Sequence, residues 1–323
     1  MTASPGPAVP VGASASEPGP VNRWVLGARP RTLPAAVVPV LVGTAVAACG
    51  FAGQAGFVHR ASSSGPLHPS LLWWRAAGAL VVALAIQIGT NFANDYSDGI
   101  RGTDDARVGP VRLVATGLAS AGKVKTAALA SFAVAGVVGL ALAAVTSWWV
   151  LAVGAACLAA GWLYTGGPRP YGYAGYGEAF VFVFFGVVAT AGSAFVQTGH
   201  LALLPLVVSV PVGSLATALL LANNLRDIAS DRVSGKRTLA VRVGRRWGGR
   251  LYVGCLALAF LGVVVVAAWR PWSLLALATL PLAYRPAQAV LHGTEGRALL
   301  PVLADTGRLQ LAFGFLLAVG LWI

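Results

Sequence analysis

Charged residues are scarce in this sequence. Only 10% of its 323 residues are Asp, Glu, Lys or Arg and 57% are hydrophobic, whereas soluble domains usually carry about 25% charged residues. A chain with so little charge does not cover the surface of a soluble globule of this size. The composition therefore excludes an ordinary soluble domain and predicts an integral membrane protein.

Cysteine, histidine and acidic residues are also few. The three cysteines, Cys49, Cys157 and Cys255, lie in separate apolar runs with no paired spacing, and the four histidines are isolated. This pattern predicts small buried thiols rather than disulfides or a Cys/His metal site. The ten Asp and Glu residues are so few that any clustering among them indicates function.

Apolar runs long enough to cross a hydrocarbon core of about 30 Å recur along the chain. Because lipid does not tolerate irregular backbone, we interpret them as helices in an all-α, nine-span bundle formed by residues 23–323. Residues 1–22, rich in Pro, Gly, Ala and Ser, are predicted to be a disordered tail. The predicted spans are 33–50, 71–94, 124–146, 148–165, 177–197, 201–222, 250–269, 272–291 and 308–323.

The net charge of +13 comes from basic residues in the loops between these runs. Nine spans place all of them except Arg60, Arg75 and Arg270 on the side of the N-terminus. Lys and Arg gather in cytoplasmic loops of membrane proteins, so the pattern predicts a cytoplasmic N-terminus in the cell membrane. It indicates the lipid bilayer and an anionic substrate as partners, and it gives no reason to expect nucleic acid.

Two polar motifs follow predicted spans two and six, at the cytoplasmic side. Asn91-x-x-x-Asp95 recurs as Asn223-x-x-x-Asp227, displaced by 132 residues, which is typical of duplicated halves in membrane proteins. On a helix, Asp98 shares the face of the first pair and Asp231 that of the second. Each helix end therefore presents a column of amide and carboxylate oxygens.

These oxygens suit Mg²⁺, which is commonly held by a few carboxylates together with substrate phosphates. Facing carboxylates repel one another unless cations lie between them, and Lys and Arg side chains suit phosphate oxygens. We therefore predict a site for a metal-bound diphosphate, with Asp95, Asp98, Asp227 and Asp231 as its catalytic residues. The predicted diphosphate-binding residues are Arg101, Arg107, Arg112, Arg226, Lys236 and Arg237.

These motifs resemble those of the UbiA superfamily of intramembrane aromatic prenyltransferases, over about residues 24–323. Within it, the chain is most similar to the menaquinone-pathway branch. Four segments carry the resemblance: Ala28–Pro34 (ARPRTLP), Asn94–Asp104 (NDYSDGIRGTD) with the following RVGP, Gly161–Tyr173 (GWLYTGGPRPYGY), and Asn223–Asp231 (NNLRDIASD) through Ala240.

The resemblance implies a nine-helix bundle with a central cavity open to lipid. It implies Mg²⁺ held by Asn91, Asp95, Asp98, Asp227 and Asp231. The implied reaction ionises a polyprenyl diphosphate, and 1,4-dihydroxy-2-naphthoate attacks at its carboxyl-bearing carbon and loses CO₂ to give demethylmenaquinol. Candidates for holding the aromatic acceptor are Arg29, Arg31, Tyr164 and Asn223.

The chain departs from the superfamily pattern at Gly102, where many members have a third Asp; Asp104 and Asp105 follow. Glu178 is either a helix-start carboxylate favoured by the helix dipole or a site residue. The alternatives in function are another acceptor, such as 4-hydroxybenzoate, a lipid-linked phosphotransferase, or a secondary transporter. Transporter sites usually lie near the membrane midplane, whereas these carboxylates lie at the ends of spans.

Overall fold

The computed structural model describes residues 20–50, 71–103 and 111–323, and all the regular elements within them are helical. The all-α class predicted from the sequence is confirmed. The predicted tail 1–22 lies outside these residues except for its last three, where α1 begins. The helices are α1 (Pro20–Ala28), α2 (Pro34–Ala48), α3 (Trp73–Ile100), α4 (Ala121–Val145), α5 (Trp149–Leu163), α6 (Gly177–Val181), α7 (Ala189–Thr198), α8 (Leu203–Val233), α9 (Leu239–Val266), α10 (Leu280–Leu291) and α11 (Leu300–Trp322).

Within the described ranges, seven helical segments are long and apolar enough to cross a membrane, and the bent pair Arg23–Thr32 and Pro34–Ala48 makes an eighth. The shorter apolar helix α5 lies at another predicted span. A π-helical segment, Phe182–Val188, joins α6 to α7 in one span, and 3₁₀ turns precede α10 and α11. The predicted count of nine is thus approximately matched.

Helices α3 and α8 continue beyond their apolar runs and carry the two polar motifs in their last turns. Each ends before a glycine with positive φ, Gly102 (65°) and Gly235 (74°). Glycine has no Cβ, so it adopts this left-handed conformation at little cost. The turn at Gly235 brings the amide of Lys236 to 2.8 Å from the carbonyl oxygen of Asp231, which returns the chain to the motif.

The core of the bundle surrounds α8, which packs against α2, α9 and α11 through a continuous cluster of buried apolar side chains. Small residues allow close helix approach, as is common in membranes. A Cβ on Gly186 would lie only 2.5 Å from Cα of Gly213. The span that contains α6 and α7 is therefore held directly against α8.

At the end of the bundle opposite the polar motifs, Arg75 and two tryptophans contact neighbouring helices. Arg75, at the start of α3, donates hydrogen bonds to the carbonyl oxygens of Val145 (3.1 Å) and Val196 (2.9 Å), and Trp73 stacks on Trp322. At 1.5 Å per residue, Arg75 lies roughly 35 Å along α3 from Asp98. Since Lys236, beside the second motif, contacts Asp98, both motifs lie at the end of the bundle away from Arg75.

Candidate functional site

A cavity of about 1120 Å³ runs along the interior of the bundle. Its lining extends on α3 from Ala79 to Asp98 and on α8 from Leu206 to Asp231. The acidic and basic residues lie at the motif end, whereas the walls toward the other end are formed mainly by apolar residues of α4, α5 and α7. The cavity is thus elongated, polar at one end and apolar along the remainder.

Asp98 is the meeting point of the polar end. Its Oδ2 lies 3.0 Å from Nζ of Lys236 and 3.3 Å from Nη2 of Arg112, and the hydroxyl of Tyr173 donates to its Oδ1 at 2.5 Å. Only 2% of Asp98 is exposed. Two predicted diphosphate-binding residues therefore converge on a predicted metal ligand.

Asp95 and Asn91, from the same motif, hold the surrounding chain. The two carboxylate oxygens of Asp95 accept hydrogen bonds from the backbone amides of Leu113 (2.8 Å) and Val114 (3.0 Å), and Asp95 is fully buried outside the cavity lining. Asn91 lines the cavity, and its Nδ2 donates to the carbonyl oxygen of Ala28 at 2.8 Å. Metal binding by Asp95 stays a prediction, and the structure gives this residue an anchoring contact.

The second motif places Asn223, Asp227 and Asp231 on the cavity wall. Arg226 holds Asp227 through two hydrogen bonds, Nε to Oδ1 at 2.7 Å and Nη2 to Oδ2 at 2.6 Å. Both side chains are buried. Such a planar paired contact is among the stronger charge-assisted interactions, and it fixes the carboxylate at the polar end.

The predicted diphosphate-binding residues divide into two groups. Arg112, Arg226 and Lys236 line the cavity, and all three are buried. Arg101 and Arg237 are exposed and outside the lining, while Arg107 lies outside the described residues, as do Asp104 and Asp105.

Arg101 instead braces the loop between α5 and α6. Its guanidinium donates to the carbonyl oxygens of Thr165 and Gly167 and lies over the ring of Tyr173. Arg237 contacts the same loop through its backbone amide, which donates to the carbonyl oxygen of Tyr173 at 2.9 Å. Both residues therefore support the site from outside the cavity.

The loop between α5 and α6 supplies site residues that the motifs alone did not indicate. The Tyr173 hydroxyl bonds to Asp98, and Nζ of Lys236 lies 4.9 Å from the centroid of its ring. Burial, followed by the nearby negative charge of Asp98, raises the pKa of Tyr173 well above its usual value. Tyr173 therefore stays protonated and donates its hydrogen bond to Asp98. In the sequence, the signal for this site residue was its place in the family-like segment Gly161–Tyr173.

All four residues predicted to hold the aromatic acceptor line the cavity: Arg29, Arg31, Tyr164 and Asn223. Arg29 has a left-handed backbone (φ 54°, ψ 70°) at the break between α1 and α2. Non-glycine residues rarely adopt this conformation, and strained positions of this kind cluster at functional sites. The break between the two helices therefore lies where Arg29 and Arg31 line the cavity.

The ligand chemistry of the polar end fits a divalent cation shared with phosphate. No three Asp, Glu, His or Cys side chains of the described residues form a metal-binding group by themselves. The available ligands are carboxylate and amide oxygens, and the carboxylates of Asp98 and Asp227 pair with buried Lys or Arg side chains. Mg²⁺ prefers such oxygens and commonly completes its shell with substrate phosphates and water.

The UbiA prenyltransferase family model matches residues 36–299. The chain therefore belongs to the UbiA prenyltransferase family, which confirms the resemblance carried by the two Asp motifs. Membership in a family of enzymes favours group transfer over the transporter alternative.

Within this family, the chain is similar in sequence to relatives that carry one enzyme name. The chain is 48% identical over 296 residues to the 1,4-dihydroxy-2-naphthoate octaprenyltransferase of Mycobacterium tuberculosis, covering 92% of this chain and 95% of the relative. It is 34% identical to the enzyme of the same name from Escherichia coli, covering 93% and 95%. The similarity extends over nearly the full length of both chains.

Solved structures share the fold. A UbiA homolog from Archaeoglobus fulgidus bound to DMAPP and Mg²⁺ superimposes with a TM-score of 0.58 at 15% identity, covering 92% of this chain and 99% of that one. The apo structure of a UbiA homolog from Aeropyrum pernix K1 gives 0.59 at 15% identity, covering 89% and 96%. The helical architecture is therefore that of known UbiA proteins.

Proposed function

We propose that this protein transfers a polyprenyl group from polyprenyl diphosphate to 1,4-dihydroxy-2-naphthoate, releasing diphosphate and CO₂ and giving demethylmenaquinol. One observation carries the proposal: Asp98 of the first motif and Lys236 beside the second meet at the polar end of an elongated apolar cavity. An anionic head on a long apolar tail matches that division. The names of the relatives supply the acceptor.

The diphosphate occupies the polar end in this proposal. Lys236, Arg112 and Arg226 supply positive charge from buried positions, where an ion pair is less screened than at a surface. Bound Mg²⁺, held by Asn91, Asp98, Asp227 and Asp231 with Asp95 as a further predicted ligand, would stabilise negative charge on the leaving diphosphate. Arg29 and Arg31 orient the carboxylate of the acceptor.

The transfer breaks the bond between the allylic carbon and a diphosphate oxygen, and the diphosphate leaves with the electron pair. The allylic cation formed is shielded from water by the apolar wall. The ring carbon that bears the carboxyl group attacks it, forming the new carbon–carbon bond. Loss of CO₂ breaks the bond between this ring carbon and its carboxyl group, and the electron pair of the broken bond returns to the ring and restores its aromaticity.

We place the site at the cytoplasmic side of the cell membrane, with the N-terminus in the cytoplasm. The distribution of Lys and Arg supports this orientation, because nearly all of them lie on the side of the motifs. Cysteine labelling at an introduced position in the exposed loop near Arg237, in intact cells and in inverted vesicles, tests it. Labelling of this position from outside intact cells would contradict the proposed orientation and indicate the opposite one.

Product analysis tests the reaction. Purified protein in lipid vesicles is supplied with Mg²⁺, polyprenyl diphosphates of several lengths, and either 1,4-dihydroxy-2-naphthoate or 4-hydroxybenzoate. We expect prenylated, decarboxylated naphthoate product and one CO₂ per diphosphate released. Turnover of 4-hydroxybenzoate alone would assign another acceptor, and Mg²⁺-independent turnover would contradict the metal assignment.

A further inference from the structure

The wall of the cavity where α8 faces α6 contains a buried pair, Asn224 and Glu178. Nδ2 of Asn224 donates to Oε1 of Glu178 at 2.9 Å, and the residues are 6% and 5% exposed. The second carboxylate oxygen, Oε2, has no hydrogen-bond partner among the described residues. A buried carboxylate oxygen without a hydrogen-bond partner lowers the stability of the folded protein. Orienting the Asn224 side chain is a function that would offset this cost.

The contact with Glu178 fixes the direction of the Asn224 amide. A carboxylate oxygen accepts hydrogen bonds, so the amide nitrogen points toward Glu178 and the carbonyl oxygen points away from it. No described residue donates to that oxygen, and Asn224 lines the cavity. The cavity wall therefore carries an oriented hydrogen-bond acceptor.

A donor lies on the same wall. Tyr164 lines the cavity, and its hydroxyl has no partner among the described residues. A Cβ on Gly177 would lie 3.4 Å from that hydroxyl oxygen and 3.5 Å from Cδ2 of Leu220. Leu220 is one helical turn before Asn224, so Tyr164, Glu178 and Asn224 are grouped around the start of α6.

An acceptor and a donor together suit a hydroxyl group, which both donates and accepts hydrogen bonds. Asn224 lies three residues before Asp227, about 4.5 Å lower along α8. In the proposed reaction the diphosphate lies at Asp227, so a ring held at Asn224 would lie on the apolar side of it. This position therefore suits the aromatic acceptor substrate rather than the diphosphate.

We propose that Asn224, oriented by Glu178, accepts a hydrogen bond from a ring hydroxyl of the aromatic acceptor, to which the Tyr164 hydroxyl donates. This subsite rests on the proposed function, since it assigns residues to the acceptor of that reaction. Asn224 and Tyr164 contact the acceptor, whereas Glu178 is a positioning residue that acts through Asn224.

Analogues that lack one hydroxyl test the subsite. The inhibition constants of 1-hydroxy-2-naphthoate and 4-hydroxy-2-naphthoate are measured against 1,4-dihydroxy-2-naphthoate for the wild type and for Asn224→Leu. We expect Asn224→Leu to raise the KM of the aromatic acceptor about 10-fold. It should raise the inhibition constant of one analogue by the same factor and leave that of the other analogue unchanged. The KM of the polyprenyl diphosphate should not change.

Matched variants separate binding from folding. Ser214→Ala alters a buried α8 hydroxyl that bonds to its own helix and lies outside the cavity lining, so it should leave all constants unchanged. As a single substitution, Glu178→Gln should raise the KM of the aromatic acceptor about 3-fold. In a protein that already carries Asn224→Leu, it should cause no further rise in this KM. Tyr164→Phe removes one hydroxyl and should raise the same KM about 3-fold.

The outcomes are distinct. An unchanged ratio of the two inhibition constants in Asn224→Leu overturns the proposal. If that variant does not fold, an unchanged ratio in both Glu178→Gln and Tyr164→Phe does the same. A rise in the KM of the polyprenyl diphosphate alone would assign Asn224 to the other substrate. If the wild type prenylates a different phenol, the proposed function fails, and the subsite is judged with that phenol and its deoxy analogue.

Discussion

Nζ of Lys236 lies 3.0 Å from Oδ2 of Asp98, and this ion pair joins the loop after α8 to the last turns of α3. Both side chains are buried, 8% and 2% exposed. Removing one partner of a buried pair leaves an uncompensated charge. The two polar motifs are therefore coupled electrostatically as well as by position.

The carboxylates that line the cavity are expected to be essential. Asp98→Asn and Asp227→Asn each remove a negative charge that offsets buried cations and supplies metal-ligand oxygens. We expect kcat/KM to fall about 100-fold or more in membranes assayed with Mg²⁺. Asp305→Asn is the control, because among the described residues Asp305 forms an ion pair only with its exposed neighbour Arg308. Near-normal prenyl transfer in both site variants would disprove the assignment.

Lys236 and Arg237 form a matched pair of adjacent cations, one inside the cavity lining and one exposed outside it. Lys236→Met should raise the KM of the polyprenyl diphosphate about 10-fold, because a charge-assisted contact with the diphosphate is lost. Arg237→Met should leave that KM nearly unchanged. Steady-state kinetics at fixed acceptor concentration measure both, and equal effects would contradict a direct contact by Lys236.

Asp95 is expected to affect stability as well as activity. The Asp95 carboxylate accepts hydrogen bonds from the backbone N–H groups of Leu113 and Val114. In Asp95→Asn, the side-chain NH₂ group replaces one of the two accepting oxygens and faces one of these N–H donors. The lost hydrogen bond should cost about 2 kcal/mol, seen as a lower midpoint of thermal unfolding in detergent. Asp305→Asn, at the exposed ion pair with Arg308, serves as the comparison; an unfolding midpoint of Asp95→Asn equal to that of Asp305→Asn would show that the anchoring contact of Asp95 carries little energy.

The apolar part of the cavity is expected to limit the length of the polyprenyl chain. Four glycines line it, and among the described residues no atom outside the adjoining helix turn and chain neighbours lies within 4 Å of a Cβ built on any of them: Gly136, Gly139, Gly154 and Gly192. Gly139→Leu should fill this space and reduce turnover of long-chain diphosphates about 10-fold relative to short ones. Competition between diphosphates of two lengths measures the ratio. Gly122→Leu, on the same helix but outside the cavity lining, should leave it unchanged.

Much of the site follows from helical spacing. The columns built on Asn91 and Asn223 depend only on a period of 3.6 residues, and both lie on helices as predicted. Arg112 and Lys236 were predictable as cations close to the motifs in sequence. The acceptor candidates came from the family resemblance, and their lining of one cavity was not evident from spacing.

Other contacts were not predictable because they depend on how distant segments pack. The carboxylate of Asp95 accepts hydrogen bonds from the backbone amides of Leu113 and Val114, which are distant from it in sequence and reach it only through tertiary packing. The hydrogen bond from Tyr173 to Asp98 joins α3 to a loop that follows two further helices. Sequence spacing carries no distance between such segments.

The division of the cavity into a charged end and an apolar remainder has a consequence for what happens after transfer. In the proposed reaction, diphosphate is small, multiply charged and soluble, whereas the prenylated ring has lost its carboxylate. We expect the first product to leave at the charged end, where Arg31 lines the cavity, and the second to leave along the apolar remainder. One chamber would thus separate its two products by polarity.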